Sequence, residues 1–272
     1  MLYLFSRYDI RFSMYEYRFK QLSEESVTTL EDMGIYPIEE DFKGQDICFV
    51  VYYGEGLEDI IKDEWYQKVE VDETGWDTKW KEFIKPGNLT DTLKYVFDLD
   101  AEPDNETIII NPAMAFGTGT HPTTRCAARL LEDVVEGKSV ADAGCGSGIL
   151  AIAASKKGAK AVYAFDIDPE ALGNTLENIE RNRASNVQAW TGGIESLGVK
   201  TDVVVANIIT SVLNMIHPSV LEIKPEYIVY SGILSEEYEE FMKELDIKDY
   251  EIVRTETEAE WCGVQLRCRI QR

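Results

Sequence analysis

The second half of the chain alternates short apolar runs with longer amphipathic stretches. The apolar runs are too short for buried helices, and they predict strands at Val140–Ala143, Ala161–Phe165, Val187–Trp190, Val203–Ala206 and Tyr227–Tyr230. The stretches between them carry apolar residues at helical spacing. Because strands and helices that alternate in this way form parallel sheets, residues from Thr107 onward are predicted to form a doubly wound α/β domain.

Two further strands are predicted near Tyr250–Thr255 and Val264–Ile270. A short acidic segment joins them, which favours an antiparallel pair at the edge of the same sheet. The sheet is therefore expected to contain seven strands and to be mostly parallel.

The front of the chain has a different organisation. Residues 1–72 are predicted to form a small α+β unit, with an extended N-terminal stretch, a helix around Glu24–Met33, a strand at Ile47–Tyr53, a short helix near Leu57–Asp63 and a strand at Gln67–Val71. Residues 73–106 are predicted to be a linker, because helical spacing gives way to the breakers Pro86, Gly87 and Pro103. Residues 107–272 then make up the α/β domain.

Composition limits the classes of function. The 272 residues include 50 acidic and 27 basic side chains, a formal charge of −23, which argues against unaided nucleic-acid binding. This charge fits a basic macromolecular partner, but a solvated acidic surface is the favoured explanation. No run approaches the length of a membrane span, and the N-terminal stretch carries charges, so a cytoplasmic protein without membrane association is expected. The five scattered cysteines lack a C-x-x-C pair, which favours reduced thiols and predicts no metal site.

The most informative motif is DAGCGSGILAIAA from Asp142, followed by AFDIDP from Ala164. Gly144 and Gly146 allow a tight turn and close approach to a ligand, and Asp166 ends the next strand, where a carboxylate meets the two hydroxyls of a ribose. The third glycine of a dinucleotide fingerprint is replaced by Ile149, so a pyrophosphate is not expected. This compact turn is typical of class I S-adenosylmethionine-dependent methyltransferases, the alternative being a glycine turn in another α/β protein.

A loop rich in Gly, Thr and Pro, NPAMAFGTGTHPTT from Asn111 to Thr124, precedes the helix that leads to this turn. Its glycines allow the backbone to lie close to a ligand, its threonines offer hydroxyls and Phe116 offers an apolar face. The loop is expected to fold over the cofactor, with Phe116, Thr120 and Thr124 as candidate contacts.

Four blocks in this order, NPAMAFGTGTHPTT, DAGCGSGILAIAA, FDIDPEAL and DVVVANII, resemble the ribosomal protein methyltransferase family PrmA. The segment WDTKWKEFIKP resembles the piece that links the two domains in that family, and Glu260–Cys262 resembles its C-terminal signature. The resemblance covers about residues 74–272. Residues 1–72 match only in size and in their α+β pattern.

The resemblance implies a class I (Rossmann-like) α/β methyltransferase domain with a mostly parallel seven-stranded sheet, preceded by a small ferredoxin-like α+β domain that recognises the substrate. It implies methylation of lysine or N-terminal amines of a large-subunit ribosomal protein, with S-adenosylmethionine as cofactor. The family's cofactor contacts fall on Thr124, Gly144, Asp166 and Asn207, and Gly146 joins them from the glycine turn. Direct nucleic-acid binding is not expected.

Asn207 is the candidate catalytic residue. It ends the fourth strand, where ligands of this fold meet, and its side-chain oxygen would orient an amine lone pair; an ordinary turn residue is the alternative. The string Asn207-Ile208-Ile209-Thr210 lacks the prolines and aromatic ring that hold planar amines, which favours an aliphatic amine as acceptor. Thr210 stands where the family usually has a small residue, so the entrance to the pocket is expected to differ.

Several alternatives remain open on the sequence. His121 is a candidate base by its position or a structural cap of the loop, whereas His217 is expected to be structural, so no general base is assigned. A second hypothesis for the function is an N-methyltransferase that acts on another protein or on a small molecule. A binding protein without turnover is disfavoured, because Thr124, Gly144, Asp166 and Asn207 are all present.

Overall fold

The computed structural model describes residues 14–23, 26–27, 29–30, 38–41, 47–53, 57–63, 65–71, 86–111 and 118–269. The chain divides into two compact units, Met1–Phe83 and Ile84–Arg272.

The first unit contains an antiparallel sheet. Its strands are β1 (Met14–Phe19), β2 (Ile38–Asp41), β3 (Ile47–Tyr53) and β4 (Trp65–Val71), in the order β2-β3-β1-β4, with a short helix α1 (Leu57–Ile60) between β3 and β4. Tyr17, Phe19 and Leu57 are buried in its core. Residues 26–27 and 29–30 are helical, within the helix predicted around Glu24–Met33, whose other residues lie partly outside the described ranges. The unit has the predicted α+β character, and its ferredoxin-like topology stays a prediction.

The second unit contains a seven-stranded sheet, which confirms the predicted mostly parallel α/β architecture. Its strands are β8 (Ser139–Ala143), β9 (Ala161–Asp166), β10 (Val187–Thr191), β11 (Val203–Asn207), β12 (Tyr227–Leu234), β13 (Tyr250–Glu258) and β14 (Trp261–Cys268). Their order is β10-β9-β8-β11-β12-β14-β13. The first five are parallel, whereas β14 is antiparallel to both of its neighbours, so β13 and β14 form the predicted antiparallel edge pair.

Helices cover both faces of this sheet. They are α2 (Pro122–Glu132), α3 (Ile149–Lys156), α4 (Pro169–Arg181), α5 (Thr210–Ile223) and α6 (Tyr238–Glu244). Along β11, Val203 and Val205 pack into one core cluster and Val204 and Ala206 into another, as the two-residue period of a strand requires. A strand buried on both faces reads as a continuous apolar run, which explains why the sequence pattern identifies it.

Part of the predicted linker is structured. Strands β5 (Gly87–Asn88) and β6 (Lys94–Val96) form a small sheet with β7 (Thr107–Ile109), and Leu93 and Tyr95 are buried in the core of the second unit. Residues 86–106 therefore belong to the second unit rather than to a connection before it. Residues 73–85 lie outside the described ranges. No helix within the described ranges is long and apolar enough to cross a membrane.

Candidate functional site

The candidate site lies where β9, β8 and β11 end. These three strands are neighbours and run parallel, so their carboxyl ends meet at one edge of the sheet. Asp166 is the last residue of β9, Asn207 is the last residue of β11, and the glycine turn follows β8 directly.

The glycine turn is fixed by its backbone. Gly144 has a φ of 73°, and its N–H donates to the carbonyl oxygen of Phe165 at 2.8 Å. A Cβ atom at this position would lie 2.7 Å from Cγ2 of Ile208. Only glycine therefore satisfies both the left-handed backbone and the close approach to the residue that follows Asn207.

Asp166 is bonded to this turn through its carboxylate. Oδ2 accepts the N–H of Gly146 at 2.9 Å, and Oδ1 accepts the N–H of Asp168 at 3.0 Å. A carboxylate oxygen can accept a further hydrogen bond, so both oxygens retain capacity for a pair of ligand hydroxyls. On the other side of the turn, Thr175 donates to the carbonyl oxygen of Gly146 at 2.5 Å, which ties the turn to α4.

Asn207 and Thr124 form a buried pair at the same edge. Asn207 Nδ2 donates to Thr124 Oγ1 at 3.3 Å, and both side chains are buried. Asn207 Oδ1 has no hydrogen-bond partner among the described residues. Because a buried acceptor without a partner is costly, this oxygen marks a place where a ligand that donates a hydrogen bond would be favoured.

Asp142 is a site feature that the sequence reasoning missed. It lies in β8 with 1% of its surface exposed, and neither carboxyl oxygen has a hydrogen bond of normal geometry to a described residue. Burial raises the pKa of this carboxyl to about 7; the amide of Ala151 partly offsets that effect, and the negative charge of Asp166 adds to it. A carboxyl inside an otherwise apolar strand was the available signal.

Only some of the candidate residues in the loop before α2 lie at this cluster. Thr120 is exposed, and its hydroxyl lies 3.0 Å from that of Thr118. Phe116 lies outside the described residues. The structure thus groups Gly144, Gly146, Asp166, Thr124 and Asn207.

Both histidines have structural surroundings. His121 caps the N-terminus of α2, accepting the N–H of Thr123 at 3.3 Å, and its ring packs edge-on against Trp261. Burial and the nearby charge of Arg125 lower its pKa. His217 Nδ1 lies 3.0 Å from the Tyr230 hydroxyl, and its Nε2 lies 3.1 Å from a backbone carbonyl. These contacts favour the structural role for each ring. The described residues contain no cluster of metal-ligating side chains.

The chain is similar in sequence to a known protein family. The family model described as Ribosomal protein L11 methyltransferase (PrmA) matches residues 19–269. A ribosomal protein L11 methyltransferase of Acetivibrio thermocellus is 42% identical over 210 residues, which cover 73% of this chain and 66% of that protein. A protein of the same name from Clostridium botulinum is 38% identical over 199 residues, which cover 70% and 63%. The matched region thus spans a little under two thirds of the length of these relatives.

A solved structure is also similar. The crystal structure of ribosomal protein L11 methylase from Lactobacillus delbrueckii subsp. bulgaricus aligns with a TM-score of 0.63 and 30% sequence identity. The alignment covers 69% of this chain and all of that one.

Proposed function

The chain belongs to the ribosomal protein L11 methyltransferase (PrmA) family, and from that membership we propose that it is an S-adenosylmethionine-dependent N-methyltransferase of ribosomal protein L11. The proposed acceptors are lysine side chains, the N-terminal amine, or both. One observation carries the proposal: a tight glycine turn is hydrogen-bonded to Asp166 and lies close to Ile208, the residue after Asn207, whose buried side-chain oxygen has no hydrogen-bond partner among the described residues.

The chemistry of the site fits this cofactor. S-adenosylmethionine carries a sulfonium, an ammonium and a ribose but no phosphate, and the carboxylate oxygens of Asp166 can accept hydrogen bonds from ribose hydroxyls beside those they accept from the backbone. We assign the ribose hydroxyls to Asp166, the methionine part to the backbone of Gly144 and Gly146, and a polar contact to Thr124. Phe116 and Thr120 are proposed as further contacts from the loop. When bound, the cofactor supplies an electrophilic methyl group on its sulfonium sulfur.

Asn207 is proposed to orient the acceptor amine. Its Nδ2 is engaged by Thr124, which directs the remaining acceptor, Oδ1, toward an amine N–H. A hydrogen bond from the amine to Oδ1 would hold the nitrogen lone pair in line with the methyl group, and such alignment supplies much of the rate enhancement in a transfer of this kind. With the amine so oriented by Asn207, its lone pair would form the new N–C bond while the C–S bond breaks, leaving the electron pair on sulfur, and the amine would lose one proton.

Deprotonation of the acceptor amine needs no dedicated base in this proposal. A free lysine has a pKa near 10.4, and removal from water favours its neutral form. The side-chain amide of Asn207 accepts a hydrogen bond but does not take a proton, so water would receive the proton.

The proposed division of labour follows the domains. We assign recognition of the protein substrate to residues 1–72 and chemistry to residues 107–272, with residues 86–106 of the predicted linker packed in the catalytic unit. We place the reaction in the cytoplasm.

Transfer of tritiated methyl groups to purified large ribosomal subunits tests this proposal. Asn207→Ala should lower the rate at saturating cofactor at least tenfold while cofactor affinity changes less than about threefold, because the lost contact acts chiefly in the transition state. Asn186→Ala is the matched control, since Asn186 is a part-buried asparagine bonded near the opposite ends of the strands.

The outcomes separate the alternatives. Normal turnover with lost cofactor binding in Asn207→Ala would show that this residue binds cofactor instead. Methylation of another protein or of a small molecule, with none on the ribosomal subunits, would show that the proposed substrate is wrong. Cofactor binding without any methyl transfer would show that the chain is a binding protein without turnover.

A further inference from the structure

Arg125, near the start of α2, contacts two distant parts of the second unit. Its Nη1 donates to the backbone carbonyl oxygens of Gly119 at 3.0 Å and Thr120 at 2.5 Å. Its Nε and Nη2 both donate to Oε1 of Glu258, at 2.7 and 2.5 Å. One guanidinium group thus joins the loop that precedes α2 to the last residue of β13.

One of the loop residues that Arg125 holds, Gly119, lies against the helix that follows the glycine turn. A Cβ atom on Gly119 would be 3.0 Å from Cδ1 of Ile149, the first residue of α3, and 2.7 Å from the ring of Tyr95. Gly119 is therefore packed directly against the helix that follows the glycine turn. Thr124, which contacts Asn207, immediately precedes Arg125 in the chain.

Glu258 fixes the orientation of the guanidinium. The side chains of Arg125 and Glu258 are 17% and 28% exposed, so water competes only partly for their charges. The hydrogen bond from Arg125 lowers the pKa of Glu258, which keeps this carboxylate ionised at neutral pH. The other carboxylate oxygen forms an ion pair with Arg129 at 2.8 Å. An anchored carboxylate holds the planar donor fork in the one orientation that reaches both loop carbonyls.

We propose that Arg125 and Glu258 are positioning residues that hold Gly119 and Thr120 against the start of α3 and thereby set the affinity for the cofactor. This inference deepens the proposed function and rests on it. Neither residue needs to touch the cofactor, because both act through the backbone of the loop. Lysine at position 125 would keep the charge but lose the planar fork that serves the carboxylate and both carbonyls together.

Three variants of the full chain test the pair. Arg125→Lys and Glu258→Gln disrupt it, whereas Arg254→Gln is the matched control. Arg254 also joins β13 to α2, but toward the far end of that helix, through the carbonyl oxygen of Arg129 at 3.5 Å and the side chain of its C-cap, Asp133, at 2.9 Å. S-adenosylhomocysteine binding, measured by calorimetry, should weaken about tenfold or more in Arg125→Lys, as the loss of charge-assisted hydrogen bonds implies, and should change less than twofold in Arg254→Gln. The loss of affinity in Glu258→Gln should lie between the losses in these two variants.

Hydrogen exchange provides a second readout that needs no ligand. Amides of residues 118–121 should exchange faster in Arg125→Lys and Glu258→Gln than in the wild type or in Arg254→Gln. In turnover, KM for S-adenosylmethionine should rise while kcat at saturating cofactor stays within about threefold, a split that a general loss of folding would not produce.

The failures are distinguishable. If the wild type binds neither S-adenosylmethionine nor its demethylated product, the proposed function fails, and hydrogen exchange still decides whether the pair holds the loop. Unchanged exchange at residues 118–121 in both variants would overturn the pair as an anchor. Faster exchange with unaltered cofactor affinity would overturn its link to binding, as would a fall in kcat with KM unchanged.

Discussion

Replacement of Asp142 by Asn should remove a pH-dependent loss of stability. The carboxyl is buried in β8 without a good hydrogen bond, and burial raises its pKa from 3.8 to about 7. In the unfolded chain the same group ionises near its ordinary value. Between about pH 4 and pH 7 the folded state therefore holds a proton that the unfolded state has lost, so this group destabilises the fold progressively as pH rises through that range.

The magnitude follows from the two values. The interval from 3.8 to about 7, at 1.36 kcal/mol per pH unit, corresponds to roughly 4 kcal/mol of stability lost on going from pH 4 to pH 8. Asparagine has nearly the same shape and does not ionise. The stability of Asp142→Asn relative to the wild type should accordingly increase by an amount of this order over the same range.

Urea unfolding of the cofactor-free proteins, followed by circular dichroism at several pH values, measures this difference. Asp202→Asn is the control: although burial raises the pKa of Asp202, hydrogen bonds from Ser139 hold it below its ordinary value. Asp202→Asn should lose stability relative to the wild type as pH rises from acidic values toward neutrality. A difference between wild type and Asp142→Asn that stays flat from pH 4 to pH 8 would refute the reasoning.

Three further predictions concern single residues. Gly144→Ala should cost more stability and cofactor affinity than Gly137→Ala, because both glycines have positive φ but only Gly144 would place a Cβ against a neighbour; equal effects in unfolding and calorimetry would contradict this. Asp166→Ala should weaken cofactor binding by about 1.5–3 kcal/mol for each hydrogen bond lost, and an unchanged calorimetric affinity would mean that the ribose binds elsewhere. Burial lowers the pKa of His217, so the wild type should lose stability relative to His217→Gln as pH falls below about 6.5, and a constant difference from pH 7 to pH 5 would show otherwise.

The sequence pattern predicts the parallel strands well, and most directly β8 and β11, which are buried on both faces. Strands β8 to β11 begin and end within one residue of the apolar runs. The pattern is less successful at β12, which continues to Leu234 although Ser231 and Gly232 interrupt the apolar run. Gly232 lies at a bulge with a φ of 90°, and pairing with β14 resumes beyond it. A local pattern does not distinguish such a bulge from the end of a strand.

The candidate site is predictable to the extent that it depends on motifs. The glycine turn and Asp166 follow from their own sequence neighbourhoods, Asn207 follows from the family resemblance and its strand-end position, and the parallel sheet brings the three together. The pairing of Arg125 with Glu258 spans 133 residues, and in a chain with 50 acidic residues nothing local distinguishes Glu258 from the others. The buried state of Asp142 likewise depends on packing from both faces of the sheet, which the motif alone did not reveal.

Mass spectrometry of purified ribosomal protein L11, incubated with S-adenosylmethionine and this protein, tests the proposed function most directly. Methyl groups should appear on lysine side chains or the N-terminal amine, and this signal should largely disappear with Asn207→Ala but not with Asn186→Ala. Unmodified L11, in a reaction where calorimetry shows that the wild type binds the cofactor, would contradict the proposed function.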